Sequence, residues 1–261
     1  ARRPAPRGET AWTGEAARWY DALVGEEGSE AHRHVVFPGA LRLLALQPGE
    51  RVLDLACGEG VFCRVLQPLG VAVTGLDASR DLIASARRKT RDGVRYVVGD
   101  AARVAELLPT DAFDAVACLL ALQNIEPVES VLAGCAQVLR PGGRLVLVLT
   151  HPCFRIPRQS GWGWDEARKL VYRRVDRYLT PLRIPIQVHP GAAPHVITWT
   201  FHRPLQGYVT ALAQAGLWVN ALEEWPSHKV SQPGPRARAE DRARAEVPLF
   251  LALRAVRVRA P

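Results

Sequence analysis

Residues 52–60 read VLDLACGEG, an apolar run that ends in two glycines spaced two apart. Residues 61–70, VFCRVLQPLG, continue with helical spacing and stop at Gly70. The pair is therefore a strand whose carboxyl end opens a helix. Glycine lets a ligand approach bare backbone. The start of the helix behind it offers free N–H groups. In an open α/β sheet this is where ligands bind.

Outward from that loop, strands and helices alternate. VAVTGLD (71–77) is a second strand, and SRDLIASARRKT (79–90) a helix opened by the capping residue Ser79. VRYVVGD (94–100) is a third strand, and AARVAELL (101–108) a short helix ending at Pro109. FDAVACLLAL (113–122) is a fourth, continuously apolar as a strand buried on both faces must be. PVESVLAGCAQVL (127–139) is a helix ending before RPGG, and RLVLVLT (144–150) a fifth strand. Such repetition calls for a Rossmann-like, doubly wound, mostly parallel seven-stranded sheet with helices on both faces. The last two strands are WVNALEEW (218–225) and VPLFLALRAVRV (247–258). They follow the helix in HRPLQGYVTALAQAGL (202–217), where Gly216 sits at a left-handed C-terminal position.

The chain thus divides into residues 1–46, two helices expected to cover the site; 47–150, the sheet core; 151–200, an aromatic-rich insertion; and 201–261, the rest of the core. The insertion reads as a lid, or equally as a small satellite core with its own aromatics. Five of the seven tryptophans, Trp12, Trp19, Trp162, Trp164 and Trp199, lie in it or in the N-terminal segment.

Composition excludes several classes. The five cysteines form no CxxC pair, which argues against a disulfide framework or structural zinc site and for a reducing, cytoplasmic setting. No run has the length of a membrane-spanning helix, and the N-terminus lacks the apolar core of a secretory signal. The net charge of +8 is nearly all arginine, scattered except in the first seven residues and in RARAEDRARAE (236–246), where acids interleave as on a solvated helix face.

Two ligand classes use a strand–glycine–helix loop. A dinucleotide site wants GxGxxG, and here the third small position falls on Cys63, a poor fit. The other pattern starts from an acid in the strand end: Asp54, Ala56, Gly58, Gly60. This run resembles motif I of the class I S-adenosylmethionine-dependent methyltransferases, with Ala56 in place of the first glycine. What should follow does follow. An acid at the end of the second strand, Asp77, lies at ribose-binding spacing, and Asp100 with Ala101 follows the third strand. The fourth strand and VLRPGGRLVLVL (138–149) are also similar to the family pattern.

The resemblance implies S-adenosylmethionine as cofactor, S-adenosylhomocysteine as product, and Asp54, Ala56, Cys57, Gly58, Gly60, Asp77, Ala78, Asp100, Ala101 and Leu119 around the cofactor. It assigns the ribose hydroxyls to Asp77 and the adenine to Asp100, though each acid also suits a helix cap. Asp54 reads as a residue that satisfies loop N–H groups or touches the cofactor.

Methyl transfer needs alignment and dryness, and a base only where the acceptor must lose a proton. His151, after the fifth strand, is a candidate base or a turn residue. Tyr20 resembles the tyrosine that many of these enzymes place near the methyl group, or packs as an ordinary helix residue. Trp19, Gln123, Asn124 and Trp199 are candidate acceptor contacts. His202 reads as a cap, and the spacing of His32 and His34 is poor for a shared metal, so no metal is expected. The expected partner is a small apolar or aromatic acceptor, with neither nucleic acid nor membrane, and the chain is expected to be a monomer or homodimer. An RNA-directed methyltransferase and a non-catalytic S-adenosylmethionine-binding protein are the rival readings.

Overall fold

The computed structural model describes residues 10–188 and 196–258, so the basic N-terminal run lies outside the described residues. Helix α1 (Gly14–Val24) is followed by a wide helical turn (His32–Val36) running directly into α2 (Phe37–Leu44). The alternation then proceeds through β1 (Arg51–Leu55), α3 (Val61–Leu66), β2 (Ala72–Asp77), α4 (Arg80–Lys89) and β3 (Val94–Val98). It continues through α5 (Val104–Leu107), β4 (Phe113–Leu119), α6 (Val128–Val138) and β5 (Leu139–Thr150). The insertion holds β6 (Ser160–Asp165), β7 (Leu170–Val175), β8 (Leu182–Gln187) and β9 (Ile197–His202). The chain ends with α7 (Leu205–Gln214), β10 (Leu217–Trp225), α8 (Ala237–Glu246) and β11 (Phe250–Arg257).

Seven strands form one sheet in the order β3-β2-β1-β4-β5-β11-β10. β3, β2, β1, β4 and β5 pair in parallel, and β11 pairs antiparallel with both β5 and β10. The order reverses at β1, so β1 and β4 flank the switch point where the crevice must open. The stretch RPGG does not precede β5 as a separate turn. It bulges within the strand, because Leu139 pairs with Phe113 and the next pair is Arg144 with Ala115.

Alternation along the strands feeds two cores. Leu53, Leu55, Val116, Leu145 and Leu147 face α5, α6 and α7. Val52, Ala115, Ala117, Val146 and Val148 face α2, α3 and α4. Side chains of these strands are almost wholly buried, as parallel strands covered on both faces require. Ser79 caps α4 by accepting the Leu82 N–H at 3.2 Å, and Gly216 takes a left-handed φ of 74° after α7. Helix α8 buries only Ala243, as its interleaved charges imply.

Helix α1 is fastened over the sheet by charge. Lys89 Nζ lies 2.5 Å from Asp21 of α1 and 3.2 Å from Glu59 of the glycine loop. Ser85 Oγ donates to the other Asp21 oxygen at 2.9 Å, and Arg64 pairs with Glu59 at 2.8 Å. Among the described residues, no helix is long and apolar enough to cross a membrane. All five cysteines are free thiols.

The insertion forms two separate hairpins, β6–β7 and β8–β9, neither joined to the main sheet. The β6–β7 hairpin packs outward. Arg155 and Arg173 lie over the half-exposed Trp162, and Arg236, at the start of α8, lies over Trp164. The β8–β9 hairpin turns to the carboxyl edge of the sheet.

Candidate functional site

A cavity of about 860 Å³ opens at the carboxyl ends of β1 to β4. Ala56 and Gly58 contribute from the loop after β1, Asp77 and Ala78 from the end of β2, and Asp100 and Ala101 from the turn after β3. Leu119 and Asn124 line it beside β4. Tyr20 of α1 forms part of its wall, and Arg183, Trp199 and Phe201 of the β8–β9 hairpin form another.

The loop after β1 is held by its own backbone. Cys57 N–H donates to Leu76 O of β2 at 3.0 Å, and Gly60 N–H to Cys57 O at 3.0 Å. Ala56, Gly58 and Gly60 all have positive φ, at 59°, 57° and 80°. Ala56 therefore pays the left-handed penalty that glycine escapes. The two glycines serve different ends. A Cβ on Gly58 would stand 3.1 Å from the Tyr20 ring, at the cavity. A Cβ on Gly60 would come 2.3 Å from Tyr96 Oη, underneath it. Gly60 does not line the cavity; close packing of loop on sheet requires it.

Asp77 accepts the N–H of Gly58 at 2.9 Å and that of Ser79 at 2.8 Å. Burial raises its pKa, and those two bonds oppose the rise. The side chain that caps α4 is Ser79, leaving Asp77 to join two loops and face the cavity. Asp100 caps the turn after β3, accepting the Ala102 N–H at 2.9 Å, and also faces the cavity. Asp54, 2% exposed, lies beneath the loop rather than along the cavity. It accepts from the Cys63 thiol at 3.2 Å and from the Cys63 backbone N–H, in the first turn of α3 directly after the loop. Burial pushes its pKa up to about 7.

Tyr20 stands over Gly58 with its ring edge-on to Trp12, centroids 5.4 Å apart. Burial, then the charges of Asp77, Glu59 and Asp54, drive its phenol pKa up, so the hydroxyl keeps its proton and is a donor. His151 is 1% exposed and is not among the residues lining the cavity. Its Nδ1 accepts the Cys153 N–H at 3.2 Å, which leaves the proton on Nε2, 2.7 Å from Glu224 Oε1. His202 is likewise engaged, through Nε2 to Tyr178 O at 2.6 Å.

Of the four expected acceptor contacts, Asn124 and Trp199 line the cavity, and Asn124 Oδ1 accepts from Thr200 Oγ1 of β9 at 3.3 Å. Gln123 donates to Leu120 O at 2.6 Å, and Trp19 packs with Ala16 and Val188; neither lines the cavity. Sequence reasoning missed Arg183 and Phe201. Residues 182–187, LRIPIQ, alternate Leu182, Ile184 and Ile186 with Arg183, Pro185 and Gln187, but the pairing of Arg183 opposite Phe201 is what reveals the face they share with Trp199.

Residues 53–147 match the family model described as a methyltransferase domain. Over 178 residues the chain is 34% identical to demethylmenaquinone methyltransferase of Beutenbergia cavernae, covering 68% of this chain and 69% of that protein. A solved S-adenosylmethionine-dependent methyltransferase from Mesorhizobium loti superposes with a TM-score of 0.68 at 29% identity, over 85% of this chain and 97% of the other. The chain belongs to the S-adenosylmethionine-dependent methyltransferases. Ubiquinone biosynthesis O-methyltransferase of Xanthomonas campestris pv. campestris is 33% identical over 138 residues, covering 51% of this chain. The methyltransferase spans 56% of that relative's length. Its sheet is the one this family shares with its solved members, its cofactor is S-adenosylmethionine, and its fifth to seventh strands, β5, β11 and β10, complete the fold expected from residues 144–150 and the C-terminal segment.

Proposed function

We propose that this methyltransferase transfers a methyl group to a small flat acceptor, aromatic or quinone-like, held between α1 and the β8–β9 hairpin. The observation that carries the reading is the continuity of one cavity from Asp77 and Asp100 to Trp199 and Phe201. Its volume of about 860 Å³ lies at the upper end of the range for ligand pockets, about 300–1,000 Å³, which leaves room for an acceptor beside the cofactor. Two relatives are named for demethylmenaquinone and ubiquinone biosynthesis, and an aromatic wall suits rings of that kind.

The residues present fit the cofactor. A loop with three positive φ angles brings backbone to the cavity, and two carboxylates at adjacent strand ends supply acceptors for hydroxyl and amino groups. When bound, S-adenosylmethionine supplies a sulfonium methyl group open to in-line displacement. Asp77 keeps unused lone pairs for the ribose hydroxyls after binding Gly58 and Ser79. Asp100 and the Ala101 backbone suit the adenine edge. Tyr20, a fixed donor over Gly58, orients polar atoms next to the reacting centre. Trp12, Trp199 and Phe201 exclude water and align the acceptor plane.

On this reading residues 10–24 and the β8–β9 hairpin close over the acceptor, while the β6–β7 hairpin braces α8. That narrows the segments 1–46 and 151–200 to the parts that meet the cavity. Five free thiols fit a cytoplasmic setting.

Titration calorimetry with S-adenosylmethionine, S-adenosylhomocysteine and NADH tests the cofactor site. Binding of the first two in the micromolar range, about −8 kcal/mol, without NADH binding is the expected result. Folded, ligand-free protein that binds none of them would overturn it.

A further inference from the structure

One arginine in the cavity wall, Arg183, has aromatic neighbours but no polar partner among the described residues. Arg183 of β8 lies opposite Phe201 of β9 and shares its face with Trp199. Its guanidinium carbon sits 4.2 Å from the Trp199 ring centroid and 5.7 Å from that of Phe201, and all three side chains line the cavity. Among the described residues, Arg183 makes neither a salt bridge nor a hydrogen bond. The other cationic groups nearby are committed. Arg103 pairs with Glu106 at 2.5 Å. Arg203, over the same Phe201 ring at 5.6 Å, donates to Ile125 O at 2.9 Å and faces Glu126 at 3.9 Å.

We propose that Arg183 is a specificity residue that recognises an oxyanion substituent, carboxylate or phosphate, on the acceptor. The proposal rests on the small-acceptor reading above. Stacking on Trp199 holds the guanidinium plane while leaving its in-plane N–H donors free, and those donors match the fork of a carboxylate or phosphate. In the open cavity, water solvates them. A neutral ring seated against Trp199 and Phe201 would strip that water and leave an unpaired cation, which is costly. An acceptor carrying its own oxyanion supplies the missing partner. Four carboxylates line the cavity: Asp77 and Asp100, engaged with backbone amides at the ends of β2 and β3, Glu106, paired with Arg103, and Glu126, 3.9 Å from Arg203. Arg183 is thus the lining cation without a carboxylate partner among the described residues, and it stands at the aromatic end of the cavity.

The test uses protein saturated with S-adenosylhomocysteine and three probes of one ring size, benzoate, phenyl phosphate and benzyl alcohol, titrated by calorimetry or tryptophan fluorescence. The expected result is that at least one anion binds about tenfold or more tighter than the alcohol, roughly 1.4 kcal/mol. That preference disappears in Arg183→Gln and survives in part in Arg183→Lys, which keeps the charge but not the plane. Whether benzoate or phenyl phosphate wins distinguishes the two anions. A purely structural brace for Trp199 would weaken all three probes alike. No preference for either anion in the wild type, or an equal preference in Arg183→Gln, overturns the proposal. The affinity for S-adenosylhomocysteine, measured in the same samples, separates the two levels. Intact cofactor binding without anion preference removes this inference alone, and failure to bind S-adenosylhomocysteine removes the cofactor site and this inference together.

Discussion

The carboxylate of Asp77 accepts the backbone N–H of Gly58 at 2.9 Å, tying the end of β2 to the glycine loop after β1. One side chain thus shapes the loop and offers acceptor oxygens to the cavity. Asp77→Asn keeps the side chain's size but halves the acceptor capacity and, because Gly58 and Ser79 donate to different oxygens, also breaks one of those two loop bonds. It is expected to weaken S-adenosylhomocysteine binding by on the order of 1.5–3 kcal/mol, the scale of hydrogen bonds to a charged group. Calorimetry reads this directly, and an unchanged dissociation constant would remove Asp77 from the ribose role.

Buried Asp54 makes stability depend on pH in an unusual direction. Its folded pKa of about 7 exceeds its ordinary value of 3.8. Between those values the native state binds more protons than the unfolded chain, so this group lowers stability as pH rises through that window. The effect is largest above pH 7 and on the order of a few kcal/mol. Urea unfolding of Asp54→Asn from pH 4 to 8 should show a flatter profile than the wild type and a higher midpoint at pH 8. Parallel curves would contradict the raised pKa.

The loop glycines predict opposite outcomes for neighbouring changes. Ala56→Gly relieves a left-handed alanine at φ 59°, offset in part by added freedom in the unfolded chain, for a gain of up to about 1 kcal/mol. Gly60→Ala places a Cβ 2.3 Å from Tyr96 Oη at φ 80°, so it should cost about 1–3 kcal/mol. Denaturant midpoints of the two variants should move in opposite directions.

Tyr20 is held protonated, so a proton-accepting role is closed to it at neutral pH. Tyr20→Phe should lower kcat while leaving the shape of the pH–rate profile unchanged up to about pH 9, since the ordinary tyrosine pKa is near 10. Disappearance of a basic limb in the variant would show that the phenol ionises during turnover.

His151 should prove a structural residue. Burial, opposed by Glu224, lowers its pKa below 6.5. The unfolded chain then binds the extra proton between the folded value and 6.5, so this group withdraws stability as pH falls through that range. His151→Gln is expected to lose about 1–3 kcal/mol of stability and to flatten that acid-side slope. The folded variant should bind S-adenosylhomocysteine like the wild type. A large fall in kcat at unchanged stability would instead restore the base reading.

Much of the core was legible because local rules and global packing agree there. Val52, Leu53 and Leu55 are apolar on both faces because helices cover both faces of β1. Ser79 and Gly216 act where capping chemistry puts them, within a few residues of the features they terminate. The acids Asp77 and Asp100 were found from the family resemblance and its spacing, and the parallel sheet brings both strand ends to one edge of the cavity. Asp54 was harder to judge, since its partner Cys63 is chosen by how α3 packs on β1. His151 was ambiguous for a similar reason: Glu224, 73 residues away, reaches it only because β10 and β11 fold beside β5.

By itself, the sequence determined the alternating fold, the glycine loop at the switch point and the acids beside it, because each depends on residues close together in the chain. Only the tertiary structure decided which aromatic side chains line the cavity. Of the aromatics in the insertion, Trp162 and Trp164 turn outward under arginines, while Trp199 turns inward with Phe201 and Arg183. That choice follows from hairpin register and from how each hairpin docks on the sheet, and contacts between distant segments leave no period along the chain.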